Sequence, residues 1–552
     1  MIYLLIFLLS LVLTILSVPY LIKFLERNNV LDIPSQRRIH DQVTPRMGGI
    51  VIYCVSVFLL FSFYNDLNSI RLIGVGSLII LLCGIIDDIR GLKYSTKFLF
   101  QISASLSIII HYKEYLNNVM IFGFSLPFPL DLIILLIFYV GVINAINWMD
   151  GLDGLITGYS LIMFSVIFVL SYQRDDAFLI MLSAAFIGSL LGFTKFNAYP
   201  ANIFLGDTGS MILGYFLLVS LTEISLSKTT RVLDLTLPIY FLALPIVDTL
   251  KVIIIRLLRG SSIFHSDFNH LHHIMLSYKI RHKTTVFFIQ IITISFCVVA
   301  LYYYKTSSLL TIVPFTILSL LIIFIDPILK VLYRVELIRK KIRVYEELPA
   351  KLISVLRKFI YKASFLLLFI LGLLSFPLHI EINSSYLLIL LIAELVLLSL
   401  ALFQKSYKEP FIHWNVFFNF TIYFWLYNII KYNDQSNLLL LSYLSNAYFI
   451  YCFAGFTLIL LLFLTARHKI IPADYLFLRG TDLTIIVFIL ITFILRVFIG
   501  GPLIIIFSSS MLMAFIFYLW YKVYIVITPS RGRYLFYGSF ALPSLALISM
   551  LF

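Results

Sequence analysis

The chain has 552 residues, is 61% hydrophobic and only 12% charged, and carries a formal net charge of +14. A mean hydropathy of +1.03 excludes an ordinary soluble protein. In so apolar a chain the positive charge fits loops beside anionic lipid, not a nucleic-acid surface, so no nucleic-acid partner is expected. The cysteines, Cys54, Cys83, Cys297 and Cys452, all lie in apolar stretches without metal-ligand spacing and read as packing residues.

Apolar runs of about 20 residues, each able to cross a bilayer as a helix, recur about 18 times. The expected fold is an all-α polytopic membrane protein. About 11 transmembrane helices fall in residues 1–333 and about 7 in residues 363–552. A basic polar linker, 334–362, holds Pro349 and separates them. The first run, from Met1 to about Leu21, lacks a basic leader and a small-residue cleavage site, and reads as an uncleaved helix.

With Met1 placed outside, span 1 delivers Lys23, Arg27, Arg37, Arg38 and Arg46 to the cytoplasm. Span 2 (Gly49–Phe63) exits, and span 3 (Leu72–Ile86) returns with Asp87, Asp88, Arg90, Lys93 and Lys97. Span 4 (Phe98–His111) exits, and span 5 (Leu132–Ile146) brings Asp150 and Asp153 inside. Spans 6 and 7 add Lys195, Asn197 and Asp207; spans 8 and 9 add Arg256, Arg259, Asp267 and a histidine cluster. Spans 10 and 11 end at Lys330, before the basic RVELIRKKIR. Every polar motif thus falls on the face that carries most of the Lys and Arg. One miscounted span would split the motifs between two sides. Residues 363–552 have basic loops but no aspartate cluster, and no repeat of the first region is evident.

A carboxylate in an apolar chain is costly and marks a site by default. Asp87 and Asp88 close span 3; neighbours on a helix point to different sides, so they are expected to hold different jobs. One faces the site while the other holds a lysine or a metal-bound water, and Lys97 and Gln101 follow in span 4. NAINWMDGLDGL puts Asn144, Asn147, Asp150 and Asp153 three residues apart, on one face if the segment is helical. Gly151 and Gly154 can instead break the helix. A structural polar network is the competing reading, but amides, carboxylates and glycines together favour a substrate site. In FLGDTGS, Asp207 or Thr208 can cap span 8, whose first amides attract phosphate. Asp207 there can hold Mg²⁺, which takes oxygen ligands plus substrate phosphates. Asp248 sits in span 9, with Arg256 and Arg259 beyond it. Asp267, His270, His272 and His273 first suggest zinc. Without a cysteine, and among hard oxygen donors, the histidines fit phosphate binding or acid–base work better.

Taken in order, DIPSQRRIHDQVTPRMGGI, IIDDIRGLKYSTKFLFQ, NAINWMDGLDGL, LGFTKFNAYPANIFLGDTGSMILGY and PIVDTL…RLLRGSSIFHSDFNHLHH closely resemble the polyprenyl-phosphate N-acetylhexosamine-1-phosphate transferase family. The likeness runs from about Met1 to Leu332 and leaves the last region without a counterpart. It implies that undecaprenyl phosphate attacks the β-phosphorus of a UDP-N-acetylhexosamine and that UMP leaves, starting a lipid-linked cell-envelope glycan. It implies Asp87, Asp88, Asp150 and Asp153 as catalytic carboxylates and Asp207 as the ligand of Mg²⁺, with Mn²⁺ able to substitute. Lys97, Asn144, Asn147, Asn197, Arg256, Asp267, His270, His272 and His273 are implied to bind substrate. A bacterial inner-membrane location, a site facing the cytoplasm, and a homodimer also fit the family. A phosphate monoester has its second pKa near about 6, so the need for a base is open. The HxHH spacing resembles the GlcNAc-1-phosphate branch, whereas the phospho-MurNAc-pentapeptide translocase has three consecutive histidines. Ser266 and Phe268 flank Asp267 where a proline and a basic residue are common, which leaves FucNAc or QuiNAc open. The rival from another class is a lipid-linked sugar transporter. Inverted repeats and midplane charges would mark it, and the sequence shows neither.

Overall fold

Each apolar run predicted in the first region forms a helix in the computed structural model, which describes residues 2–32, 43–227, 230–262 and 268–340. The helices run α1 (Ile2–Arg27), α2 (Gly49–Phe63), α3 (Arg71–Arg90), α4 (Tyr94–His111) and α5 (Leu130–Met149). They continue as α6 (Leu155–Gln173), α7 (Ala177–Asn197), α8 (Gly206–Ser225), the short α9 (Thr236–Phe241) and α10 (Ala243–Leu258). The short α11 (Leu271–Ser277), α12 (His282–Thr306), α13 (Ile312–Ile323) and α14 (Ile325–Lys340) follow. Seven of them (α1, α3, α5, α6, α7, α8 and α12) are long and apolar enough to cross a membrane unaided. Leu309–Ile323 and Ile325–Val331 meet at 64° and make an eighth if they form one bent span. The protein is therefore a multi-pass membrane protein. Against the expected 11 spans, α2, α4 and α10 are helices that fall short in length or apolarity. The helix α14 continues past Arg334 into the segment predicted as a linker. The rest of that linker and the C-terminal spans lie outside the described residues.

Helices α6, α7 and α8 are buried on nearly every face and form the centre of the unit Met1–Ile338. Around them, α1 and α2 pack on α7, and α3 and α5 pack on α8. In lipid, apolar surface gives helices little reason to choose one another, so close backbone approach and buried polar pairs set the packing. Gly84 of α3 faces the backbone of Thr208 in α8, and Gly49 at the start of α2 faces Gly209. A Cβ at either position would collide with the neighbouring backbone. Polar pairs supply the rest: Ser56 with Ser189 at 3.0 Å, and Tyr139 with Thr222 at 3.0 Å. Such pairs contribute about 0.6 kcal/mol each on average.

The two ends of the bundle differ. Short strands β1 (Leu31–Asp32) and β2 (Thr44–Pro45) pair antiparallel between α1 and α2, at the end where the aspartate motifs gather. At the other end lie β3 (Val119–Ile121) and β4 (Phe124–Ser125), between α4 and α5. The strands β5 (Leu226–Ser227) and β6 (Val232–Asp234), between α8 and α9, join them in a sheet of order β4-β3-β6-β5. Its central pair, β3 and β6, is parallel.

The close approach of α3 and α8 gives the first prediction. Gly84→Ala should separate the two helices and destabilise the protein by about 1–3 kcal/mol, the usual range for overpacking. Gly74→Ala is the control, because its Cβ would meet only Phe61, at 3.8 Å. Thermal melting in detergent should fall for the first variant and stay near wild type for the second.

Candidate active site

The adjacent aspartates at the end of α3 divide their work, and the division sets the site. Asp88 is 2% exposed. Its Oδ1 accepts the Asp207 backbone N–H at 3.0 Å; its Oδ2 accepts the Thr208 backbone N–H at 3.0 Å and the Thr208 hydroxyl at 2.6 Å. Asp88 thus caps the start of α8 from another helix, where no side chain of α8 does so. This corrects the reading of the Asp207 and Thr208 amides as a phosphate seat, since Asp88 already accepts from both. Both Asp88 oxygens are occupied by this cap.

Asp87 turns the other way. Its Oδ1 accepts the Leu92 backbone N–H at 2.7 Å, and its Oδ2 pairs with Lys97 at the first turn of α4. Lys97 Nζ also lies 3.5 Å from Asp207 Oδ2. The other Asp207 oxygen accepts the Asn147 side-chain amide, which also donates to Ser210 Oγ at 2.8 Å. Four helices, α3, α4, α5 and α8, therefore converge through one chain of contacts: Asp87, Lys97, Asp207, Asn147.

Helix α5 ends at Met149, and α6 begins after Gly154, whose φ of 74° suits glycine. Asp150 and Asp153 thus stand in a loop, so of the two expected placements the structure shows the one in which the helix breaks at the Gly151–Gly154 stretch. Asp153 Oδ2 accepts the Ala201 N–H at 3.0 Å, and its own N–H donates to His282 Nε2 at 3.1 Å. Asn197 Oδ1 accepts from Gly154 N–H at 3.1 Å and Thr157 Oγ1 at 2.7 Å, tying α7 to the start of α6.

A cavity of ≈ 360 Å³ opens at this end of the bundle. Of the predicted residues, Asp88, Asn147, Asp150 and Asp153 line it, as do Asn197, Asp207 and His273. Asp87 and Lys97 join it through Asp207. Asn144 does not line it. Its amide donates to Gln101 Oε1 at 2.6 Å while Gln101 Nε2 returns a bond to Asn144 Oδ1 at 3.2 Å, a buried clamp between α4 and α5. The substrate-binding expectation for Asn144 is corrected to that structural role, because both its amide and its carbonyl are already partnered. Asp267 lies outside the described residues.

The histidine segment is held from α10. Asp248 Oδ2 accepts from His270 Nδ1 at 2.9 Å, while Oδ1 accepts from the Leu271 N–H at 2.9 Å and Lys251 Nζ at 2.8 Å. Arg256 lies 5.3 Å from the Trp148 ring, whose other neighbour is His270. Asp248, Lys251, Arg256 and His270 are buried and do not line the cavity. Burial, with His273 close by, pushes the His272 pKa down to about 3, so its imidazole is neutral near pH 7. The ring abuts Gly151, where a Cβ would collide with it. Asp150 behaves oppositely. Its removal from water raises its pKa to about 8, and the charges of Asp207, Asp88 and Asp153 add to the rise.

Four lining residues with polar side chains, Asp32, Arg46, Tyr199 and His282, were not among those expected at the site. Tyr199 and His282 stack with ring centroids 4.4 Å apart. Arg46 carried a signal, because TPRMGG is one of the matched stretches. Nothing local marks the Tyr199–His282 pair, whose members lie on different helices' ends.

Residues 70–225, which hold Asp87, Asp88, Lys97, Asp150, Asp153 and Asp207, match glycosyl transferase family 4. Over 335 residues the chain is 33% identical to the "Probable undecaprenyl-phosphate N-acetylglucosaminyl 1-phosphate transferase" of Bacillus subtilis, covering 59% of this chain and 90% of that protein. The chain belongs to glycosyl transferase family 4. This family 4 protein is also 31% identical over 292 residues to the "Decaprenyl-phosphate N-acetylglucosaminephosphotransferase" of Mycobacterium leprae, covering 47% of this chain and 73% of the other. It is 34% identical over 229 residues to a "Phospho-N-acetylmuramoyl-pentapeptide-transferase" of Staphylococcus haemolyticus, covering 37% of this chain and 71% of the other. It is a sugar-phosphate transferase.

The raised pKa of Asp150 fixes a pH dependence for the ligand-free family 4 enzyme. The unfolded chain releases this proton near about pH 4, whereas the folded chain holds it to about pH 8. Between those values the folded state binds more protons, so stability falls as pH rises. Asp150→Asn removes that contribution. Its melting temperature, followed from pH 5 to pH 8 in detergent, should decline less than that of wild type.

Proposed function

We propose that the protein transfers an N-acetylhexosamine-1-phosphate, GlcNAc-1-phosphate first among them, from its UDP-sugar to undecaprenyl phosphate and releases UMP. The observation that carries this reading is the chain of contacts from Asp87 through Lys97 and Asp207 to Asn147, set at a helix-end cavity in a family 4 chain. The B. subtilis and M. leprae names support GlcNAc, as does the HxHH spacing. The S. haemolyticus relative keeps the MurNAc-pentapeptide donor as the second reading.

In this reading an oxygen of the lipid phosphate forms a bond to the β-phosphorus while the bond from that phosphorus to the bridging oxygen breaks. UMP leaves with the electron pair. Donor and acceptor are both anionic, so the site must offset their repulsion before they meet. Lys97, held by Asp87 and Asp207, supplies a fixed ammonium for that purpose. A helix-end position suits an acceptor whose phosphate lies at the membrane surface and whose tail lies in lipid. The positive surroundings of the motifs support a reading in which this face lies on the cytoplasmic side of a bacterial plasma membrane.

The donor set fits Mg²⁺. Among the described residues no three His, Cys, Asp or Glu side chains form a closed metal cage. Mg²⁺ is instead commonly held by one or two carboxylates together with substrate phosphates and water. Asp207 is the carboxylate to hold it, with Asp150 and Asp153 lining the same cavity. Bound there, the ion would neutralise charge developing on the diphosphate. Asn147 orients Asp207, and Asp88 keeps the start of α8 in place.

Three measurements test this. Membranes incubated with undecaprenyl phosphate and a panel of UDP-sugars, UDP-MurNAc-pentapeptide included, should yield UMP and a lipid product whose mass corresponds to GlcNAc-1-phosphate transfer. Failure to use any UDP-sugar would remove the reading. Chelation with EDTA should stop turnover and Mg²⁺ should restore it. Asp207→Asn should lower kcat by about 10²-fold or more, the scale of losing a central electrostatic group. Undiminished turnover in that variant would sink the metal assignment.

A further inference from the structure

The TPRMGG stretch has no part in the mechanism above, yet it is anchored more tightly than a surface loop requires. The Gly48 N–H donates to Phe204 O at 2.9 Å, the Gly49 N–H donates to Leu205 O at 2.9 Å, and the Phe204 N–H donates to Pro45 O at 2.8 Å. The segment 45–49 is thereby stitched to the strand of chain that leads into Asp207. On its other side, β2 pairs with β1, placing Thr44 opposite Asp32. Met47 adopts φ 95°, a conformation that a non-glycine residue takes only when its surroundings impose it. A Cβ on Gly48 would collide with the Phe193 ring.

What this anchoring fixes is Arg46. Its side chain lines the cavity and is the one Lys or Arg among the described lining residues, against aspartates at 32, 88, 150, 153 and 207. Its Nε is buried and has no hydrogen-bond partner. Among the described residues its guanidinium takes no ion pair, although five carboxylates share the cavity wall. A buried donor left unpaired is costly, and a structural arginine in such company would be expected to pair with one of them. A guanidinium kept unpaired, on a backbone that cannot relax, is poised for a planar anion, and phosphate is the anion its fork fits.

We propose that Arg46 is a substrate-binding residue that takes a phosphate group in the cavity. The inference rests on the transferase reading, which supplies two phosphate sources: the diphosphate of the nucleotide sugar and the phosphate of the lipid. Arg46 and Lys97 bring two cations to the acidic site, Arg46 from the cavity wall and Lys97 through Asp207. Lys cannot replace it fully, because an ammonium lacks the two parallel N–H donors.

The test uses the full-length protein in detergent, as wild type, Arg46→Lys and Arg46→Gln, with melting temperature as the folding control. Binding of UDP, uridine, inorganic pyrophosphate and undecaprenyl phosphate is measured for each. Arg46→Gln is expected to weaken UDP and pyrophosphate by about 10- to 100-fold, the range of a charge-assisted hydrogen bond, and to leave uridine unchanged. Arg46→Lys should fall between. Weakening confined to undecaprenyl phosphate would also support the proposal and assign the lipid as the source. Equal binding of all phosphate probes by wild type and a folded Arg46→Gln, or by Arg46→Lys if the glutamine variant does not fold, would overturn it and leave the transferase reading intact. A wild type that binds pyrophosphate through Arg46 but neither UDP nor the lipid would keep the proposal's phosphate site and remove the transferase reading. A wild type that binds none of the four would overturn both.

Discussion

A carboxylate buried in an apolar bundle has to be saturated, and Asp88 is saturated by the start of α8. That cap is the interaction on which the rest of the site depends. The first amides of a helix have no partner within the helix, and here a neighbouring helix supplies one across 119 or more residues of chain. Each buried group left unpaired would cost about 1–3 kcal/mol. With α8 fixed at this point, Asp207 lies beside Lys97, Ser210 meets Asn147, and the Phe204–Leu205 strand can hold the segment 45–49. The close approach of Gly84 to Thr208 is the steric side of the same constraint.

The histidine segment is built on a similar principle. Asp248 saturates itself with Lys251, His270 and the Leu271 amide, so a single carboxylate anchors α11 to α10. The result is a cavity with two kinds of acidic residue. Asp88, and Asp248 outside the lining, are consumed in holding helices. Asp150, Asp153 and Asp207 remain along the wall, where burial lifts the proton affinity of Asp150 and the neighbouring carboxylate charges add to it. An acidic pocket of this kind favours ligands that arrive with cations.

Much of this was legible in the chain itself. Apolar length marked the helices, and placing Met1 outside gathered every polar motif at one end, where the structure gathers the aspartates of the motifs around Asp87, Asp150 and Asp207. The different duties of Asp87 and Asp88 follow from helical geometry, and Lys97 takes the part expected of a lysine beside one of them. Three things were not legible. Asn144 looked like a ligand because it shares spacing with Asn147, but its fate depends on Gln101 of another helix. The α8 amides looked open because their cap comes from α3. Tyr199 and His282 carry no local signal, since their stacking exists only once the chain after α7 meets the start of α12. In each case the deciding partner is remote in sequence, and periodicity describes one helix at a time.

The sheet at the far end of the bundle has a mechanical consequence. The parallel pairing of β3 with β6 buckles the α4–α5 connection to the α8–α9 connection. Three helices that carry the site, α4, α5 and α8, are thus pinned at one end and reach the cavity with the other. A helix of 20 residues, the length of α5 and of α8, is a lever of about 30 Å at 1.5 Å per residue. A tilt of about 5° at the buckle therefore shifts its free tip by about 2.6 Å. The pairing of β3 with β6 at the far end thus bears on the spacing of Lys97, Asn147 and Asp207 at the cavity.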